Sequence, residues 1–561
     1  MATNKVLVIG LDGYEDSLGE QMMALGELPA LARLKRMGAH MLLDHGPAQR
    51  TGLAWEHVAS GLSPEDAGRW AAVSFDPATY SAWQEGTSLA PFTARLEART
   101  VVFDAPYFDL RRAPNVQGLV NWGAHDPGIA SNSRPDDLLS EFFGRFGEYP
   151  AKPFIYALPW SSPEKSRMTG EALTQAVNTR TEAALWLLQE RFPEWDLGFV
   201  VVSEPHSALE ALWHGVDPAH PLHGLPSAEP AGEGLRSVYR AVDNLVGRLT
   251  EAFPETTVLV FSMGGMGPNR SDAASMVLLG ELLYRNAFGK TLLQQRPDWL
   301  AARNGIPLLG PDEDWLRSLQ SLIPAPAPAP RTLASRLRKR LSAVLPESLK
   351  SYLGPLLKPS SAAKTDAPDP SGPVRLRVEW MPVSRYRAFW PAMPAFALPS
   401  FYDGRIRINL KGRERDGMVE PNQYRQVCDE LESLLRSCTD PATGEGVVEF
   451  IERPAGDRDP LTLGQSECDL VVVWKGPLAL EHPTLGQIGP IPYRRSGGHT
   501  GPYGMAYIVG SRLAPGDLGV HSSFDIVPTI IELLGESVPS GVSGTSLLAA
   551  RGHERAMAVN A

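Results

Sequence analysis

Five residues combine a reactive side chain with a setting that could use it: Asp12, Thr51, His206, Glu210 and His499. Asp12 follows the apolar run Lys5-Val-Leu-Val-Ile-Gly-Leu11 and precedes Gly13. A carboxylate there stands at the carboxyl end of a buried strand, where open parallel sheets bind their ligands, although Asp-Gly is equally a plain turn. Thr51 lies in Arg50-Thr51-Gly52-Leu-Ala-Trp-Glu-His-Val-Ala-Ser-Gly61, at the start of an expected helix that ends at Gly61. As a helix cap it needs no further role. As a hydroxyl at a helix N-terminus it is also placed to attack a phosphorus or sulfur centre whose oxygens the backbone N–H groups hold. His206 and Glu210 stand four apart just after Val200-Val-Val-Ser203, so a helical turn puts both on one face. The pair is either a local hydrogen bond or part of a divalent-metal site. His499 sits in Gly497-Gly-His-Thr-Gly-Pro502, read as a glycine-rich loop before a strand over residues 505–509. A lone loop histidine carries no function by itself.

The elements that must position these residues alternate strand and helix. After the first strand, Ala30-Leu-Ala-Arg-Leu-Lys-Arg-Met37 has helical spacing, with Pro29 at its start and Gly38 as its stop. Strand patterns at 197–203 and 257–262 enclose a helical pattern at 235–253. This predicts an α/β fold with a mostly parallel central sheet and helices on both faces. Pro324-Ala-Pro-Ala-Pro-Ala-Pro330 suits neither helix interior nor central strand and reads as an extended spacer. Beyond it, Leu333, Leu337, Leu341 and Leu345, with Arg336, Arg338, Lys339 and Arg340 between them, predict a basic amphipathic helix over 331–345. That helix has two candidate docking sites, the acidic body of the same chain or an anionic surface. The expected organisation is therefore an N-terminal part of the α/β domain over 1–310, an insertion over 311–373 and a C-terminal part over 374–561. Strands are expected at 405–409 and 469–474 and a last helix at 524–534.

Composition narrows the class of function. With 53 Lys+Arg against 64 Asp+Glu, the net charge of −11 disfavours generic binding to nucleic acid. No apolar run reaches membrane-spanning length, and the chain runs into its first strand without signal-peptide regions, which together predict a cytoplasmic protein with no integral membrane segment. Cys428, Cys438 and Cys468 form no CxxC pair and are expected to be reduced thiols.

The order of motifs resembles the alkaline phosphatase superfamily, specifically its type I phosphodiesterase/nucleotide pyrophosphatase branch. The resemblance rests on Val8-Ile-Gly-Leu-Asp12-Gly, the Thr51 block with Ser60-Gly-Leu-Ser-Pro64, residues 203–221, Ser262-Met-Gly-Gly-Met-Gly-Pro268, Asn409-Leu-Lys-Gly-Arg413, Gly498-His499 and Asp525-Ile-Val-Pro-Thr529. It implies an alkaline phosphatase-like fold with inserted segments. In that family two zinc ions about 4 Å apart clamp the attacking and leaving oxygens, and a threonine or serine is the nucleophile.

Carried over residue by residue, the resemblance makes Thr51 the nucleophile and Asp12 a ligand of the nucleophile-side metal. His206, Glu210 and His499 match the ligands of the other metal, with the family's aspartate-then-histidine order exchanged. The adjacent aspartate and histidine of the nucleophile-side metal are matched by Met263 and Gly264, which predicts that this second metal is absent. The expectation is one divalent metal, zinc by preference, or none. Two functions follow. The first is a phosphodiesterase-like hydrolase or transferase acting on a small phosphate or sulfate ester. The second is a degenerate family member that binds a phosphate-bearing ligand or partner without turnover. Arg413 either clamps a phosphate or pairs with an acid, and Trp55 and Trp213 are expected to pack rather than stack on substrate.

Overall fold

The computed structural model describes residues 5–159, 162–302, 305–310, 312–324 and 374–549. The basic helix expected over 331–345 lies outside the described residues, as does nearly all of the proline-rich spacer.

The first strand, Val6–Leu11, is buried along its whole length because it runs between two others, Leu197–Val202 and Thr257–Ser262, parallel to both. Its side chains alternate between faces, as the two-residue period of a strand requires. Leu7, Ile9 and Leu11 enter one hydrophobic core, while Val6 and Val8 enter another. Helices Pro29–Met37, Pro163–Leu185 and Ala228–Ala252 close the first core, and helices Ala54–Ser60 and Ile526–Leu533 close the second. A sheet covered on both faces explains why these strands read as continuous apolar runs.

Across the sheet the nine strands stand in the order Gly516–Ser522, Ala39–Asp44, Gly504–Val509, Thr257–Ser262, Val6–Leu11, Leu197–Val202, Thr100–Phe103, Val116–Val120 and Asn132–Arg134. Five neighbouring pairs are parallel and three antiparallel. The α/β class and the mostly parallel sheet therefore match the sequence-based expectation.

Residues after 374 do not rejoin this sheet at once. Arg375–Arg377 first pairs with Ser81–Glu85, and the chain then builds a four-stranded antiparallel sheet in the order Ala395–Leu398, Gly404–Ile408, Leu470–Trp474 and Val448–Glu452. This sheet shares a third core with helices Leu279–Phe288 and Tyr424–Arg436. The chain returns to the large sheet only at Gly504. The cysteines Cys428, Cys438 and Cys468 are free and buried, and burial pushes their thiols up to about 11, about 12 and about 11. At neutral pH they are protonated packing groups. Among the described residues no helix is long and apolar enough to cross a membrane.

Candidate active site

Asp12 leaves the central strand with its N–H bonded to the Val202 carbonyl at 2.9 Å, so it sits level with the end of the neighbouring strand. Helix Glu204–Leu212 starts one residue beyond that neighbour, and Pro205 suits its first turn. His206 and Glu210 share a face one turn apart, with His206 Nε2 and Glu210 Oε1 3.3 Å from each other. Gly13 makes room for this helix. Its φ is +64°, and a Cβ there would lie 2.7 Å from the His206 Cα.

His206 Nδ1 lies 3.1 Å from Asp12 Oδ2. An ionised carboxylate only accepts, so Nδ1 carries the proton, and a neutral ring then presents its lone pair on Nε2. Burial would raise the Asp12 carboxyl, but the neighbouring His206 imidazole, with help from His125 and the Trp55 indole, brings it down to about 2. Asp12 is therefore ionised at neutral pH.

His499 reaches the same point from the opposite side, its Nε2 2.9 Å from His206 Nε2. Its segment is not a loop. Gly497–Gly501 is a strand paired antiparallel with Gly265–Pro268. The glycines reflect close packing: a Cβ on Gly497 would lie 2.2 Å from the Leu209 carbonyl oxygen. Burial lowers the His499 imidazole well below the usual range, so it is neutral.

The structure adds a residue that was not singled out from the sequence. His125, carried by the segment between the strands Val116–Val120 and Asn132–Arg134, stacks on His206 with ring centroids 3.7 Å apart. Its Nε2 faces Glu210 Oε2 at 3.3 Å. The two atoms are not aligned for a hydrogen bond, and neither has another partner. Among the described residues, His125, His206 and Glu210 form the one group of three whose ligand atoms lie close enough to share a metal ion, within 4.8 Å of one another. Arg495 was likewise not anticipated. Its Nη1 contacts Glu210 Oε1, while its Nε and Nη2 hold Asp272 at 2.7 and 2.9 Å.

Thr51 is placed differently from the other four. It ends a 3-10 helix, Gly46–Thr51, and stands before the helix Ala54–Ser60 rather than capping it, although Gly61 closes that helix in a left-handed conformation as expected. Its hydroxyl donates to the Ala48 carbonyl at 2.7 Å and accepts from the Leu53 N–H at 3.1 Å. The cleft that exposes Asp12, His206 and His499 is lined by Gln49, Gly52 and Trp55 from this stretch. Thr51 lines a separate cleft with Arg50, Arg405 and Glu452. Trp55 thus meets the site as well as packing on Phe261.

Met263 and Gly264 line the cleft where the resemblance implies the second metal's aspartate and histidine. A thioether and a hydrogen cannot replace them, and Asp12 alone does not make a zinc site. Space for the missing ligand exists, since a Cβ on Gly264 would meet nothing nearer than 3.8 Å. Met263→Asp combined with Gly264→His is expected to raise zinc uptake by one ion per chain over wild type, measured by elemental analysis. Unchanged uptake by the folded double variant would refute that.

Buried neutral histidines extend beyond the cleft. His214 is lowered to about 3, by burial first and then by His220 and His223. A group with a lowered folded-state value takes up protons in the unfolded chain first. His214 therefore weakens the fold as pH falls from 6.5 towards 3. Between pH 6.5 and pH 4.5 this amounts to about 2 kcal/mol, and His214→Gln is expected to flatten the acid limb of stability by that amount in urea titrations at the two pH values.

No curated protein matches the sequence. Among solved structures the chain is similar to a phosphonoacetate hydrolase from Sinorhizobium meliloti 1021 in complex with phosphonoformate, at 12% identity, 95% coverage of both chains and a TM-score of 0.44. It is also similar to human ectonucleotide pyrophosphatase/phosphodiesterase 5, at 11% identity, 97% coverage of this chain, 98% of the other and a TM-score of 0.43. In sequence, residues 6–308, more than half of the chain, match the type I phosphodiesterase/nucleotide pyrophosphatase family. The chain belongs to that family.

Proposed function

We propose that the protein hydrolyses a phosphoric ester, with one divalent metal held by His125, His206 and Glu210 beside His499, and with Thr51 as the attacking group. The observation that carries this reading is the pair of orphaned atoms, His125 Nε2 and Glu210 Oε2, both buried and facing each other without a partner. Two imidazoles and a carboxylate are a catalytic zinc set, and buried polar atoms left unpaired cost about 1–3 kcal/mol each unless something satisfies them. Burial also holds His125 down at about 3, so its nitrogen is free to ligate at neutral pH.

Charge points the same way. The cleft is lined by the carboxylates of Asp12 and Asp126, with no lysine or arginine among its described lining residues. A phosphate entering it unaided would meet like charge. A bound zinc ion would supply the missing positive charge and Lewis acidity for the phosphoryl oxygens. Asp12 fixes the His206 tautomer, and Trp55 and His206 hold Asp12 ionised. To attack, the Thr51 hydroxyl must release Ala48 and Leu53, two neutral hydrogen bonds worth about 1 kcal/mol each.

A second reading, a ligand-binding protein without turnover, is favoured by the engagement of that same hydroxyl and by Met263 and Gly264. The test is Thr51→Ala against Asp12→Asn, assayed on a generic phosphodiester with zinc. Covalent attack predicts loss of turnover in Thr51→Ala with zinc uptake intact. Survival of turnover in Thr51→Ala with loss in Asp12→Asn would transfer the attack to water, and absence of turnover in wild-type protein would favour the binding reading.

A further inference from the structure

The proposed ligands come from two separate stretches of chain, the segment carrying His125 and the helix carrying His206 and Glu210. Each is anchored by a buried carboxylate that does not line the cleft. Asp104 accepts the backbone N–H groups of Trp122 and Gly123, both at 2.8 Å, two to three residues before His125. Glu204 opens the helix that bears His206 and Glu210.

One guanidinium joins the two. Arg180, from helix Pro163–Leu185, donates Nη1–H to Asp104 Oδ2 at 2.8 Å and Nε–H and Nη2–H to Glu204 at 3.0 Å. Nη1 also reaches the Val201 carbonyl, at the end of the strand before that helix, at 3.0 Å. All three charged side chains are fully buried. Tyr149 adds a further tie, its hydroxyl 3.0 Å from Glu204 Oε1 and its ring against that of Trp122.

We infer that Arg180 is the positioning residue of the metal site, holding the His125 segment and the His206–Glu210 helix in register so that their ligand atoms meet. This rests on the reading of those three residues as metal ligands. Arginine suits the task because a planar fork serves two carboxylates in fixed directions, whereas a lysine is a single point charge that serves one well. Asp104 has a φ of +59°, a backbone conformation that L residues rarely adopt, so its carboxylate is aimed at a local cost.

The test uses the full chain with zinc alone. Arg180→Lys and, in case that variant does not fold, Asp104→Asn are compared with wild type by calorimetric zinc titration and by amide hydrogen exchange. The expected result is a loss of zinc affinity of about 10- to 100-fold in a folded variant, the range for groups that orient ligands. In Arg180→Lys, exchange should also quicken together at Trp122–Gly123 and in helix Glu204–Leu212. Folded variants with zinc affinity within twofold of wild type and unchanged exchange would overturn the inference. If wild-type protein takes up no zinc, the metal reading fails. Joint exchange in the two segments of Arg180→Lys then still supports Arg180 as their link, and wild-type exchange in either segment overturns it.

Discussion

With the proposed metal site, His206→Ala is expected to abolish zinc uptake and to lower phosphodiester turnover by about 1,000-fold, the scale of one electrostatic group at a reacting centre. No other side chain touches so much of the site. Its ring meets Asp12 at 3.1 Å, Glu210 at 3.3 Å and His499 at 2.9 Å, and stacks on His125. Without it, Glu210 keeps its contact with Arg495, and His125 and His499 no longer share a neighbour. Elemental analysis of purified variant and a zinc titration of its activity check the outcome. Full zinc with at least a tenth of wild-type turnover would refute the metal assignment.

A large stability loss is expected at Arg413, which does not line the cleft. Its guanidinium grips both oxygens of Asp469, at 2.8 and 2.7 Å, and donates to Glu414 at 2.9 Å, with only 3% of the side chain exposed. Asp469 also accepts the Tyr424 hydroxyl at 3.0 Å, and Glu414 accepts from Arg407 at 2.7 Å. The arginine thus pairs with acids, one of the two roles open to it in the sequence. Arg413→Ala leaves a fully buried carboxylate without its main counter-charge, which costs about 3–5 kcal/mol. Chemical denaturation should show that loss, while zinc affinity of the folded fraction stays unchanged. A variant of wild-type stability with weakened phosphate binding would reinstate the clamp.

Much of the frame was legible because it depends on local pattern. Largely apolar stretches at 6–11, 197–203 and 257–262 mark strands buried on both faces, and all three stand side by side in the sheet. The four-residue spacing of His206 and Glu210 could be read as a shared helix face, since a helical turn forces it. The glycines around His499 read as a loop and proved to be a strand. Glycine marks a loose loop and a tight backbone approach alike, and here Leu209 and Gly265 press on the ribbon.

Tertiary structure alone decided the membership of the site. His125 is separated by about eighty residues from the helix it faces, and no spacing rule connects them; its approach depends on Asp104, Arg180 and Glu204 meeting in the interior. Arg495 follows a strand-free stretch with no signal of its own, yet it ends against Glu210. The sequence by itself determined several of the strands and helices, and hence that Asp12 and His206 stand at strand ends, because periodicity is a property of short stretches; that the two strands are neighbours is set by the tertiary fold. Which way each side chain turns at those ends is decided by whatever packs behind it. That is why Thr51, read in sequence as opening the helix that ends at Gly61, instead ends a 3-10 helix, directs its hydroxyl to the Ala48 carbonyl and lines the other cleft.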